Sequence, residues 1–350
     1  MGFRFAGVTG VFCLGGSFRR VIMLKADEFR KRLQARGLSS KDIDFSVDAV
    51  EEFEEYLKKR GKSYETMGLG DLKRYVSLLI KEGRNSEERL VAVARYLAFA
   101  GKNDEFIYLF GTFSASNVLP DIGDRLANKA GEEVRRRVFE RFQLPALGSP
   151  QDVFPALTER IVKRMEAELP HETCRQVLTW NYHQIPIEAF KDAKERFEKA
   201  GSIDQYLKGE HKRLVDEMEG CMKQGRVWYE QKITPEVLDF VRANQEICTG
   251  VRKGDRIYVT KIPYATPQLL RETNPALKRY YACHCPLVRA SLRHGKSKVP
   301  ATFCYCSAGF EKVKFDAVFG EPVEVELLET LLKGDMRCRF AIKIPKNKMK

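Results

Sequence analysis

No stretch of this 350-residue chain approaches the roughly 18 to 20 consecutive apolar residues that a membrane-spanning helix needs, and beyond Lys25 every apolar run is broken by Lys, Arg, Asp or Glu. A membrane span is therefore not expected. A secretory signal lacks one of its parts: Arg4 precedes an apolar run, but Phe18-Arg19-Arg20 stands where small residues should mark a cleavage site. Residues 1–25 read instead as a disordered or mis-annotated start, with the folded chain beginning near a second methionine, Met23. The glycines of "GVTGVFCLGG" make no nucleotide-binding fingerprint, because no strand precedes them and no helix start follows. The C-x-x-C knuckle of structural zinc ribbons is missing too.

What is present is a set of nine cysteines, unevenly placed. Without a secretion signal they point to a reducing, cytoplasmic setting, where thiols act as core residues, metal ligands or reactive groups. Cys283, Cys285, Cys304, Cys306 and Cys338 cluster near the C-terminus, whereas Cys13, Cys174, Cys221 and Cys248 are scattered and read as small hydrophobes. Charge is uneven as well. Of the net +13, residues 251–300 carry +9, from 11 Lys or Arg against Asp255 and Glu272. An anionic ligand should thus be met by the C-terminal part.

The chain reads as α+β: an N-terminal helical bundle (26–143), a Pro/Gly/Ser-rich linker (144–155), then a helical segment and an α+β ligand-binding domain (156–350) with a closing antiparallel hairpin. Val47, Val50, Phe53, Tyr56 and Leu57 recur at helical spacing, Gly61 stops that helix, and Asn85 or Ser86 caps another that ends at Gly101. "RIYVTKIPY" and "CRFAIKIPK" alternate as strands do, and "EPVEVELLETLLKGDMRCRFAIKIP" reads as two strands turning at Lys333-Gly334-Asp335. "SAGFEKVKFDAVFG" reads as a short amphipathic helix ended by Gly320.

Residues 46–101, with "FEEYLKKRGKSYETMGLGDLKRYVSLLIKEG" and "ARYLAFAG", resemble the SAM-like core-binding domain of tyrosine recombinases. The resemblance implies DNA contact, and Lys62, Lys73 and Arg74 stand where basic residues could meet phosphates. The recombinase catalytic set of Arg, His-x-x-Arg and Tyr is absent from the remainder, so only weak, non-specific DNA binding is expected of a region close to charge balance.

On an extended segment, Cys283 and Cys285 would share one face with His284 opposite, and Cys304 and Cys306 would do the same. Two such pairs plus Cys338 would offer enough thiolates for a tetrahedral Zn²⁺ or for an iron-sulfur cluster. A reactive-thiol role is the alternative, with Cys283 or Cys285 flanked by Arg279, Arg289 and His284. His171 and Cys174 sit three apart, a helical spacing open to metal ligation, and His183 falls in a turn. Trp180 and Trp228 read as core.

"ATFCYCSAGFEKVKFDAVFGEPVEVELLETLLKGDMRCRFAIKIP" resembles the C-terminal half of the 4-vinyl-reductase and aromatic-sensor type of small-molecule-binding domain. The resemblance implies a zinc ion held by cysteines at the positions of Cys304 and Cys338, with a further cysteine and an acidic residue. The family's other late cysteine falls on Thr330, so Cys306, Cys283 or Cys285 would have to replace it. The closing pattern is also similar to L-2-amino-thiazoline-4-carboxylic acid hydrolase-like proteins, and the chain from about Leu169, with "HQIP", "CHCP" and "FCYCSAGFEK", resembles an uncharacterised family of anaerobic bacteria and archaea.

The expected function is small-molecule binding or sensing beside a cysteine-bound metal, zinc or alternatively an iron-sulfur cluster, with Arg279, Arg289, His284 and Tyr305 as ligand-contacting residues. Two alternatives stay open: a hydrolase using the same site on a small heterocyclic or thioester-like substrate, and a DNA-binding regulator. The partners this implies are a small, anionic molecule and weakly bound DNA, no membrane, and room for a homodimer.

Overall fold

The computed structural model describes residues 25–295 and 297–349. The start before Lys25, with Cys13, and the basic-loop residue Lys296 lie outside the described residues. No described helix is long and apolar enough to cross a membrane. The chain divides into two compact units at Phe110/Gly111.

The first unit is helical: α1 (Ala26–Ala35), α2 (Ser40–Lys58), α3 (Leu69–Lys81), α4 (Glu87–Phe99) and all but the last residue of α5 (Asn103–Gly111). Side chains cap the exposed helix N–H groups, as they must. Ser39 Oγ accepts from Asp42 N at 3.2 Å, Asp71 Oδ2 from Gly68 N at 3.0 Å, and Ser86 Oγ from Arg89 N at 3.4 Å. One stripe of α2, Val47, Val50, Phe53 and Leu57, is buried. It meets an aromatic core in which Phe53 lies 4.5 Å from Tyr75 and Tyr64 lies 4.6 Å from Tyr96. Two of the cations expected to meet DNA are engaged within the unit: Arg74 pairs with Asp71 at 2.6 Å, and the Lys73 ammonium sits 5.0 Å from the Tyr108 ring centre.

The second unit continues with α6 (Val118–Ala130), α7 (Glu132–Phe139), α8 (Phe154–Glu168), α9 (His171–Leu178), α10 (Lys191–Lys199), α11 (Ile203–Lys223) and α12 (Pro235–Arg242). Then come β1 (Val251–Lys253), β2 (Arg256–Thr260), α13 (Thr266–Arg271), α14 (Pro275–Ala282), α15 (Tyr305–Phe319), β3 (Val325–Glu329) and β4 (Arg339–Lys343). The four strands form one antiparallel sheet in the order β1-β2-β4-β3. Register pairs Ile257 with Ile342 and Val259 with Phe340, and these apolar residues share a core with Phe315, Val318 and Phe319 of α15. The α+β class, the helical N-terminal bundle and the closing hairpin β3–β4 are all seen.

Residues 144–155 do not separate the two units. They lie inside the second, where Gln151 Nε2 donates to the Gly111 carbonyl at 2.8 Å and Gln151 Oε1 accepts from Arg289. The Pro, Gly and Ser content there reflects tight turning against a core, which composition alone does not distinguish from a free linker.

Helix α15 is buried on most sides, with Ser307, Glu311 and Lys314 in one stripe and the Lys312–Asp316 ion pair on another. Gly309 lets it approach the turn after α9, because a methyl group at that position would stand 2.3 Å from Trp180 N. Trp180 itself is not a core residue: it is 52% exposed, with the Arg125 guanidinium 3.8 Å from its ring centre. Cys174 is plain core, its thiol donating to the Met165 carbonyl at 3.3 Å, while the His171 ring stands edge-on to Tyr305 at 6.4 Å.

Candidate functional site

The segment carrying Cys283 and Cys285, expected to be extended, is not a strand. Asn274 caps α14 through Oδ1, which accepts from Ala276 N at 2.8 Å, and Pro275 at the first helical position commits Tyr280 and Tyr281 to helix. Cys283 is the residue after the helix, and 283–285 run as irregular chain to Pro286. Cys304 ends a turn of 3₁₀-helix and Cys306 lies within α15. Residues two apart on a helix point about 200° apart, so the shared-face argument fails for this pair.

Cys283 and Cys306 belong to the apolar core formed with α6, α8 and α9, and Cys285, Cys304 and Cys338 pack against it. Burial pushes the thiols of Cys285 and Cys306 up to about 12, and those of Cys283, Cys304 and Cys338 up as well. They are held as neutral thiols, which disfavours the reactive-thiol role. Among the described residues no group of three or more His, Cys, Asp or Glu side chains is placed to hold a metal ion. Thr330, standing where the aromatic-sensor resemblance puts a cysteine, donates its hydroxyl to Cys304 Sγ at 2.7 Å. That bond favours the thiolate form of Cys304, but burial outweighs it and raises the pKa. The residues as placed do not fit the implied metal.

Charged groups do gather nearby. The turn Trp228–Gln231 is closed by two backbone hydrogen bonds, 2.9 and 2.8 Å, and Tyr229 at its corner has φ 52°. Its next residue, Glu230, lies near the Tyr264 hydroxyl, which favours the ionised carboxylate. Over the Tyr264 ring, 3.8 Å from its centre, lies the guanidinium of Arg289, a residue only 9% exposed. One of its nitrogens, Nη2, donates to Gln151, while Nε is buried without a partner among the described residues. Gln151 is held in turn by Gly111, where an added methyl group would lie 2.4 Å from Gln151 Nε2 and 3.7 Å from the Tyr264 hydroxyl. The carboxamide of Gln231 is also buried, with no hydrogen-bond partner among the described residues.

Burial raises the Glu230 carboxyl to about 7, although the Arg289 charge, the Tyr264 hydrogen bond and Lys261 all favour its ionised form. Tyr264 is raised to about 12 by burial and by the Glu230 charge. Beside it the His284 ring stands edge-on to Tyr264 at 5.3 Å, and its Nε2 lies 2.6 Å from the Ile262 carbonyl. Burial lowers His284 to about 3, so the ring is neutral and carries its proton on Nε2. The Lys261 ammonium is 3.5 Å from Glu311, 3.4 Å from Ser307 Oγ and 4.4 Å from the Phe310 ring centre. Burial opposes its charge, but Glu311 together with Cys338, Cys306 and Cys285 outweighs that and raises its pKa. Cys285, Cys306 and Cys338 lie within electrostatic reach of Lys261.

Two openings adjoin these groups. One, of about 200 Å³, is a mainly apolar groove walled by Gly111, Leu119, Leu144, Phe154, Pro286 and Leu287. The other, of about 240 Å³, is lined by residues that include Lys261, Leu269, Met336 and Cys338.

Residues 268–350 match the model of a family of unknown function, DUF6144. No curated protein and no solved structure matches the chain. The DUF6144-matching segment carries all five clustered cysteines, Arg279, His284, Arg289 and Tyr305, whereas Gln151, Glu230, Lys261 and Tyr264 precede it.

Of the ligand-contacting residues expected from sequence, Arg289 and His284 meet around Tyr264. Arg279 sits in the last turn of α14 and is not among the groups around that ring, and Tyr305 opens α15 beside His171. Sequence reasoning missed Glu230, Tyr264, Lys261 and Gln151. The only local trace of them is charge and aromaticity in "VWYEQ" and "KIPY", which any surface loop can show.

Proposed function

We propose that the second unit binds a small organic anion, with Arg289 as its anchor. The observation that carries this reading is the Arg289 guanidinium: enclosed, stacked on Tyr264, and with a buried Nε that no described residue pairs. A buried donor without an acceptor costs about 1–3 kcal/mol, and an arriving carboxylate or phosphate oxygen would recover it through a charge-assisted hydrogen bond. The cysteine-bound metal has no part in this proposal, and the thiols serve as packing. A cytoplasmic setting accords with eight described cysteines that are all free.

One observation favours a hydrolase as second reading. A carboxyl titrating near 7 beside a tyrosine hydroxyl is suited to general acid–base work at neutral pH. Binding is the broader statement, and it is tested first. Benzoate should raise the melting temperature of the protein and benzyl alcohol should not; Arg289→Gln should abolish the benzoate shift and Arg289→Lys should weaken it, with circular dichroism confirming that both variants fold. Equal shifts from the acid and the alcohol, or a shift untouched in Arg289→Gln, would sink the reading.

A further inference from the structure

From Thr273 to Phe310 the chain contains no Asp or Glu. Within that stretch Lys278, Arg293 and Lys298 have no ion pair among the described residues, and Arg293, His294 and Lys298 are exposed. By contrast, Arg135, Arg136 and Arg137 of α7 pair with Glu132, Glu133 and Glu168 at 2.7, 2.7 and 2.9 Å. Packing holds the unpaired cations together. Helix α14 meets the 3₁₀ turn Arg289–Leu292. Just beyond that turn Arg293 donates from Nη2 to the Tyr280 hydroxyl at 2.7 Å, and its guanidinium lies 4.6 Å from the Tyr280 ring centre. The Tyr281 ring follows at 5.4 Å from that of Tyr280, and Lys278, three residues before Tyr281, shares its helix face. At the other end the hydroxyls of Ser291 and Ser297 meet at 2.7 Å, folding the loop that leads to Lys298 back onto the turn. Cations and rings thus run together over one surface. We infer that this surface binds single-stranded nucleic acid, its phosphates meeting Lys278, Arg293 and Lys298 and a base stacking on Tyr281.

Charge complementarity selects an anionic partner, since no acid of the stretch offsets its cations. A membrane surface is the poorer match: among the described residues between 273 and 299 no large apolar side chain is exposed, so none is available to enter a bilayer. An acidic peptide would use the cations and leave the rings idle, whereas unpaired bases have faces that stack on tyrosine. The bases of a duplex are already stacked on one another, so the Tyr281 ring favours a single strand. The inference does not depend on the anion site at Arg289, whose side chain is enclosed against Tyr264.

The test is fluorescence anisotropy of the full chain with labelled oligo(dT) of about 15 nucleotides, a duplex of the same length as comparator, and hexaglutamate and phosphatidylglycerol vesicles as competitors. Three phosphate contacts should make oligo(dT) binding about 20-fold weaker at 200 mM than at 50 mM salt. The double variant Arg293→Glu/Lys298→Glu should weaken it by at least about tenfold. Lys191→Glu/Lys208→Glu, at exposed positions of α10 and α11, changes the net charge equally and should weaken it by less than about threefold. Tyr281→Leu should weaken oligo(dT) by at least about fivefold and leave the duplex unchanged, with circular dichroism confirming that each variant folds. Equal weakening by the two charge-reversal pairs overturns the site. Duplex binding as tight as that of oligo(dT), or oligo(dT) binding untouched by Tyr281→Leu, overturns the single strand as partner. Displacement of oligo(dT) by hexaglutamate or vesicles at equal charge overturns nucleic acid as the class, and no binding at micromolar concentration in 50 mM salt overturns the inference outright.

Discussion

Gly309 of α15 lies so close to the backbone of Trp180 that a methyl group added to it would stand 2.3 Å from Trp180 N and 2.4 Å from Trp180 O. This approach seats α15 on the turn after α9 and brings Phe310 to 5.2 Å from the His183 ring. Because the colliding atoms are backbone on both sides, neither can rotate away. Gly309→Ala should destabilise the protein by about 1–3 kcal/mol, as overpacking does, and lower its melting temperature. An unchanged melting curve would mean that the helix and the turn are not in contact.

The five clustered cysteines should divide by environment. Cys306 is buried in the apolar core, so Cys306→Ser places a hydroxyl there and should cost about 1–3 kcal/mol. Cys304 already faces the Thr330 hydroxyl, so Cys304→Ser keeps a hydrogen-bond partner and should be the milder change. Thermal melts and metal analysis of anaerobically prepared protein check this together. About one zinc or iron per chain, lost on either substitution, would restore the metal centre.

Acid stability should report His284. The folded state holds its ring neutral down to about pH 3, whereas an unfolded histidine takes up a proton below about 6.5. Its contribution is therefore fully present above pH 6.5 and is lost as the pH falls from there toward 3, by at most about 1.4 kcal/mol per pH unit. His284→Gln should flatten that slope while lowering stability at pH 8, since the ring packs on Tyr264. Chemical denaturation between pH 4 and 8 decides it.

Glu230 has the opposite sign. Its folded pKa of about 7 lies above the unfolded value, so its contribution is present below about pH 4.5 and is lost as the pH rises through 7. Glu230→Gln removes the enclosed negative charge and should stabilise the protein at pH 8, on the order of 2 kcal/mol, with little change at pH 5. A residue that is less stable than its neutral analogue at working pH is one retained for use. Equal melting temperatures of parent and variant at pH 8 would show that the carboxyl is better solvated than its position implies.

The sequence was most informative where local patterning decides structure. Val47 to Leu57 announced α2, Gly101 its neighbour's end, and the alternation in "RIYVTKIPY" and "CRFAIKIPK" announced β2 and β4. It misled at Cys283 and Cys304, where alternate-position cysteines suggested strands. The stronger local signals were Asn274-Pro275 ahead of one pair and the helical run from Tyr305 through the other. Arg289 was visible as a cation in a basic segment. Its partners were not, because Gln151, Glu230 and Tyr264 come from three separate stretches whose meeting depends on tertiary packing.

The pairing of β2 with β4 joins Arg256 to Lys343. Every clustered cysteine, the three 3₁₀ turns Arg289–Leu292, Ala301–Cys304 and Leu331–Lys333, and α13 to α15 lie in the chain between those two strands. Closing that span is entropically costly and slow compared with forming any helix inside it. During synthesis β4 emerges only after the whole span has been made, so the β2–β4 pairing waits for it, whereas the helices within the span can form and pack on α6, α8 and α9 beforehand.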